Sequence, residues 1–217
     1  SASNFPIQGF DSYIYALKAL EIVQGDWSPI QTHSIGWPAV LAFFFWVWSS
    51  NSLFINFVYA IVIKSFISSL SVFPLAYISQ KALSSQTKTK MVLFAFAFLY
   101  GAIAPEWELL ILAEPLFTLL FLLALACIYK SMESPWYCIA AAVFAGLTYY
   151  VKPLGIATLP VIMISYWLIG KKNTRHASSI VFAMAAIFFI ITAPFLYQRH
   201  MYFNTAFDYG ENSKYFM

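Results

Sequence analysis

The chain has 217 residues and a net charge of +3; 61% of it is hydrophobic, 20% aromatic and only 10% charged. Soluble domains carry roughly 25% charged residues and about 45–50% apolar ones, whereas 12 basic and 9 acidic side chains cannot cover a 24.6 kDa globule in water. The composition predicts an all-α integral membrane protein and excludes a soluble enzyme, a disordered segment and a coiled coil, and the charge excess is too small and scattered for a nucleic-acid partner.

In chain order, the first feature is the segment that Phe10 and Asp11 open. On a helix, Tyr13, Ala16, Leu17, Leu20 and Val23 share one side, and Asp11, Lys18 and Glu21 lie towards the other. That pattern predicts an amphipathic interfacial helix within a loop over 1–37. Asp11 suits an N-cap, and it equally suits a catalytic carboxylate kept ionised by the helix's positive end. His33 follows in Thr32-His33-Ser34, with no metal-ligand spacing around it. Residues 38–50 are apolar but too short to cross a bilayer, and read as a re-entrant segment.

Six apolar stretches then read as spans: 53–80, 91–112, 114–129, 135–151, 153–170 and 177–198. No period-2 pattern suggests a β-barrel. Lys81, Lys88, Lys90, Lys130, Lys171, Lys172 and Arg175 fall on one side if the spans alternate, and the positive-inside rule makes that side cytoplasmic. The opposite, outer side then holds 1–37, the turn 104–114, the turn at Lys152 and a tail over 199–217. Of nine carboxylates, Asp11, Glu21, Asp26, Glu106, Glu108, Glu114, Asp208 and Glu211 fall on that outer side and only Glu133 inside. One reading is the ordinary confinement of charge to loops. The other is a single outer-facing site, because ionisable groups near a membrane core are costly and usually functional.

Within this layout, Glu114 precedes Pro115 at a span start, where a proline and an acid both suit a helix beginning. At membrane depth such an acid calls for a partner: a cation, a substrate hydroxyl or a basic side chain. Lys152, in Tyr150-Val151-Lys152-Pro153, can snorkel to headgroups or clamp a phosphate. Lys64 interrupts an apolar run and is expected to reach an interface or a carboxylate inside the bundle. Cys127 and Cys138 lie in apolar stretches and suggest neither a disulfide framework nor a metal site. No signal peptide, Walker loop, GxGxxG, HExxH or GxSxG is present. The chain starts without Met and reads as a piece of a longer protein.

The order of these features resembles the GT-C superfamily of polytopic glycosyltransferases, near the aminoarabinose transferases and protein O-mannosyltransferases. The features are an acid opening an amphipathic helix, Gly25-Asp26-Trp27, a Pro-containing re-entrant block, Lys64, Glu114-Pro115, the Lys152 turn and a final Gly210-Glu211-Asn212-Ser213-Lys214. The resemblance covers essentially the whole chain and lies in order and topology rather than in one long motif. It implies transfer of a sugar from a polyprenyl-phosphate donor to a lipid, glycan or protein acceptor at the outer face of a prokaryotic plasma membrane. Asp11 matches the family's acid of the first outer loop and Glu114 its acidic-Pro position, which makes both catalytic candidates. Lys152 matches a basic turn near the donor phosphate and Glu211 an acid of a later outer loop; Lys64 and His33 join them as substrate-binding candidates. The family often has a second acid after the first, where this chain has Ser12, and its aminoarabinose members carry Lys where this chain has Trp37. Further spans are expected before Ser1 and after Met217. Metal use stays open, with Asp11, Glu114 and Glu106 the carboxylates available to a divalent cation. The alternatives are a secondary transporter or a non-catalytic lipid-binding membrane subunit.

Overall fold

The computed structural model describes residues 10–29, 34–48, 53–83, 86–103, 113–169 and 174–203. All regular structure among the described residues is helical, as the composition predicts. The helices are α1 (Phe10–Val23), α2 (Gly36–Trp48), α3 (Leu53–Leu70), α4 (Val72–Leu83), α5 (Gln86–Ile103), α6 (Glu114–Lys130), α7 (Trp136–Val151), α8 (Thr158–Ile169) and α9 (Thr174–Phe203), with a 3₁₀ turn over Pro153–Ala157 before α8. Two stretches are long and apolar enough to cross a membrane by length and composition: Phe54–Leu83, 30 residues, and Ala177–Tyr202, 26 residues.

The first of these is not one straight helix. The stretch expected to run unbroken over 53–80 divides at Ser71, because Pro74 has no N–H to donate to the carbonyl of Leu70. The chain tightens there: Ser71 N–H donates to Ser68 O at 3.0 Å, and the ladder resumes with Leu75 N–H on Ser71 O at 3.3 Å. Other boundaries also move. Helix α5 begins at Gln86, so Lys88 and Lys90 lie on its opening turns and not in the preceding loop. Helix α9 runs on to Phe203, which places Arg199 on a helix and not in a tail. The expected re-entrant block is the 13-residue α2, about 20 Å long at 1.5 Å per residue.

Helix α1 forms where expected but packs on a different stripe. Ser12, Tyr15, Ala16, Ala19 and Ile22 are buried, while Tyr13 and Leu17 are 43% and 40% exposed. Lys18, expected on the water side, is buried. The physical reason is packing against α2: small side chains at 16 and 19 admit the neighbouring helix, and the larger apolar side chains are left outside.

Helix α7 is the centre of the assembly and packs against α2, α6, α8 and α9. Its buried face is built from Ala141, Ala142, Ala145 and Gly146, small enough for helices to approach closely. The succession α6 to α9 runs alternately up and down. The end of α7 meets the start of α6 through Lys152 and Glu114, and it meets the start of α8 through Thr148 and Thr158. Helix α9 runs beside α7 in the same direction, so that Tyr149 and Tyr150 pack on Phe195. The Tyr150 hydroxyl donates to Ile191 O at 2.8 Å, in the turn that Pro194 loosens. At the other end of the bundle, Lys81 at the close of α4 pairs with Glu133 in the α6–α7 turn at 3.2 Å. The ion pairs Glu114–Lys152 and Lys81–Glu133 thus sit at two ends, with Lys64 buried within α3, while large apolar side chains such as Phe73, Phe94, Phe182 and Ile190 face outward.

The turn after α7 depends on a glycine. A Cβ on Gly155 would lie 2.4 Å from the backbone of Thr148 and Tyr149. Gly155→Ala is therefore expected to lower stability by about 1–3 kcal/mol through overpacking, read as a reduced thermal midpoint of the purified protein.

Candidate functional site

At the Glu114 end, the start of α6 and the end of α7 present opposite charges. Ala113 precedes Glu114 without a side-chain cap, Glu114 occupies the first helical position and Pro115 the second. An acid there is favoured by the free N–H groups and the positive end of the helix dipole. Across from it, Lys152 leaves α7 in an extended conformation (φ −147°, ψ 143°), and a cation beyond a helix C-terminus is favoured for the mirror-image reason. Its backbone is held on both sides: its N–H donates to Thr148 O at 2.9 Å, and its carbonyl accepts from Gly155 N–H at 2.8 Å. Thr148, fully buried, has its hydroxyl 3.0 Å from that of Thr158 and 2.6 Å from Ala145 O.

This fixed turn delivers the Lys152 ammonium to Glu114 Oε1, with which it hydrogen-bonds. The pair stays partly open, the two side chains being 32% and 44% exposed. The second carboxylate oxygen differs: Glu114 Oε2 is shielded from solvent and has no hydrogen-bond partner. One carboxylate thus combines a cation-held oxygen with a bare, enclosed acceptor.

Other groups border the same end. Gly36 at the start of α2 lies so close to α7 that a Cβ would come within 2.6 Å of Tyr150 O. Beside it, Ser34 Oγ and Trp37 Nε1 are buried without hydrogen-bond partners. The segment after α1 folds back over its own helix. Lys18, 6% exposed, donates to Glu21 Oε2 at 2.9 Å and Ser28 Oγ at 2.8 Å, and it lies 3.4 Å from Asp26 Oδ2. Gln198 on α9 donates to Trp27 O at 3.0 Å, which ties this segment to the far helix. The Ser28 N–H, donating to Asp26 Oδ1 at 2.9 Å, holds the Asp26 carboxyl below the usual carboxylate range, aided by the Ser28 hydroxyl and the Lys18 charge.

Among the residues expected from sequence, Glu114 and Lys152 are brought together. Asp11 sits in the first turn of α1, where only its backbone is described. Lys64 lies within α3, 6% exposed and engaged with another group. His33, Glu106 and Glu211 lie outside the described residues. Of the carboxylates available to a cation, only Glu114 has a described side chain, and no group of three or more His, Cys, Asp or Glu side chains fit to hold a metal ion occurs among the described residues. Sequence reasoning missed Arg199, fully buried with its guanidinium carbon 6.0 Å from the Phe195 ring. Its spacing of four from Phe195 on an apolar helix was the available signal. It also missed the role of Lys18, whose signal was Glu21 at i+3 followed by Asp26 and Ser28.

No protein-family model, no curated protein and no solved structure matches this chain.

Two outcomes are expected. A double-mutant cycle with Glu114→Gln and Lys152→Met should give a coupling of at most about 1 kcal/mol in thermal stability, since solvent reaches both partners. For Asp26, the depressed folded pKa means its stabilisation is present above the ordinary carboxyl range and is lost as pH falls through the folded value. Wild type should then melt above Asp26→Asn near neutral pH, and the gap should close on acidification.

Proposed function

We propose that the chain is part of a polytopic GT-C-like membrane glycosyltransferase that moves a sugar from a polyprenyl-phosphate donor to a lipid, glycan or protein acceptor at the outer face of a prokaryotic plasma membrane. The observation that carries the reading is the Glu114 carboxylate, held by Lys152 through one oxygen while its other oxygen is enclosed and unpartnered. The segregation of Glu114 and Lys152 from Lys81, Lys130 and Glu133 to opposite ends of the helices supports the alternating topology and the sidedness read from loop charges.

In this reading the acceptor hydroxyl attacks the anomeric carbon, the bond from that carbon to the phosphate oxygen breaks, and the electron pair leaves with polyprenyl phosphate. Asp11 takes the acceptor proton, which makes the hydroxyl a better nucleophile. Lys152 offsets the charge that grows on the departing phosphate, which a positioned cation does best in a water-poor site. Glu114 Oε2 accepts a hydrogen bond from a substrate hydroxyl and orients it. A secondary transporter is the second reading, favoured by the break at Ser71 within an apolar stretch and by the buried Lys64.

Membranes holding the full-length protein should release sugar from a polyprenyl-phosphate donor. Asp11→Asn and Glu114→Gln should each reduce transfer by about 10²-fold or more while the protein still accumulates. Transfer that survives both changes, or solute uptake that depends on Lys64 in protein inert towards every donor, overturns this reading in favour of the transporter.

A further inference from the structure

The Glu133 end carries a second constellation that the transfer reaction leaves unused. Helix α6 separates it from Glu114 by 17 residues, about 25 Å at 1.5 Å per residue. Two lysines each lie over an aromatic ring there. Lys81 Nζ lies 5.8 Å from the centre of the Tyr77 ring, and Lys130 Nζ lies 4.7 Å from that of Tyr137. Tyr77 and Glu133, the two groups that Lys81 touches, both lie within electrostatic range of Lys130, which joins the two lysines in one cluster. Lys81 is paired with Glu133 at 3.2 Å, and among the described residues no carboxylate is in ion-pair contact with Lys130, so Lys81, Lys130 and Glu133 together carry one net positive charge.

Two further observations point to a ligand. The Tyr77 hydroxyl, within electrostatic range of Lys130, is enclosed and has no hydrogen-bond partner, so a donor beside the cluster has nothing to receive it. Beside it, the turn between α6 and α7 exposes large apolar side chains, Met132 at 47% and Trp136 at 75%. A ligand that satisfies all of this has a singly charged oxyanion and an apolar body. Free phosphate would use the lysines and leave the apolar rim bare, while an uncharged lipid would do the reverse. The end of a helix bundle is also where a lipid presents its headgroup, and basic pockets between membrane helices hold such headgroups.

We propose that Lys81, Lys130 and Tyr77 form a binding site for the phosphodiester of an anionic phospholipid, whose glycerol and acyl region lies against Met132 and Trp136. The lysines supply charge and the Tyr77 hydroxyl donates to a phosphate oxygen. Tyr137 fixes Lys130 by cation–π contact, and Glu133 positions Lys81 without neutralising the pair. This site rests on the membrane reading and not on the glycosyltransferase one, and it would stand if the transfer reaction were absent.

The test is native mass spectrometry of the delipidated full-length protein titrated with phosphatidylglycerol or phosphatidylcholine. Phosphatidylglycerol should bind about tenfold more tightly, consistent with two basic groups near an anionic headgroup. Lys130→Gln should weaken it about fivefold, Lys130→Arg should restore it, and Tyr77→Phe, which keeps the ring under Lys81, should weaken it with an unchanged melting temperature. Equal binding of the two lipids overturns the proposal. So does a loss with Lys90→Gln, an exposed lysine outside the cluster, as large as that with Lys130→Gln, because that result means diffuse surface attraction. Full displacement of the lipid by millimolar inorganic phosphate overturns it in favour of a soluble phosphate site.

Discussion

The last turn of α7 is where five elements are obliged to meet, because each neighbour uses a different side of it. Thr148 holds the 3₁₀ turn and α8, Tyr149 and Tyr150 hold α9, the Tyr150 carbonyl abuts the glycine that starts α2, and Lys152 reaches α6. Such convergence needs small side chains below it, and Ala141, Ala142, Ala145 and Gly146 provide that. Close packing of small side chains and internal hydrogen bonds hold these helices together. The direction in which Lys152 points is therefore fixed by the whole bundle and not by its own turn.

Charge placement follows a related constraint, the cost of burying an unpaired charge. An ionised group away from the ends costs several kcal/mol unless it is paired; the pairs Glu114–Lys152 and Lys81–Glu133 sit at the two ends, and Lys64, buried within α3, keeps a contact of its own. The Lys18 group shows the cost being met in full. Its ammonium has a carboxylate, a second carboxylate and a hydroxyl within 3.4 Å, and the loop that supplies two of these is tied to α9 through Gln198. The segment that supplies Asp26 and Ser28 is thereby clasped onto α1. Glu114 and Lys152 differ in that both partners are partly solvated, whereas Lys18 is buried, and their pair is worth about 1 kcal/mol or less to stability.

Helices over most of the expected stretches were legible in the sequence, because a run of apolar residues bounded by charge announces a helix without any knowledge of its neighbours. The break at Ser71 was legible too, had Pro74 been given its weight. The packed face of α1 was not. Hydrophobicity favours the stripe of Tyr13, Ala16 and Leu17, whereas the structure buries the stripe of Tyr15, Ala19 and Ile22, with Ala16 shared between them. When both sides of a helix can face an apolar medium, size decides the contact and polarity does not. Glu114 and Lys152 were each visible as oddities at helix ends, but their contact was not, since 38 residues separate them and only the antiparallel return of α7 closes the gap. Arg199 was hidden because a helix that extends five residues beyond its apolar stretch has no signal in hydropathy alone.

The two ends ask different things of their charges. At the Glu133 end, an exposed ion pair beside exposed aromatic and apolar side chains is the arrangement expected where a bundle meets headgroups. At the Glu114 end, the carboxylate is satisfied on one oxygen and enclosed on the other, which is a poor arrangement for stability taken alone. An enclosed acceptor without a donor is a net cost, and an apolar residue before Pro115 would start α6 without it. Fold-level consistency usually fails at sites that do chemistry, and here it fails at an acid that faces a fixed lysine across a helix junction. A ligand hydroxyl on Glu114 Oε2 would remove that cost on binding, so part of the affinity for such a ligand would come from relieving the free protein, and Glu114→Gln would lose it without unfolding the bundle.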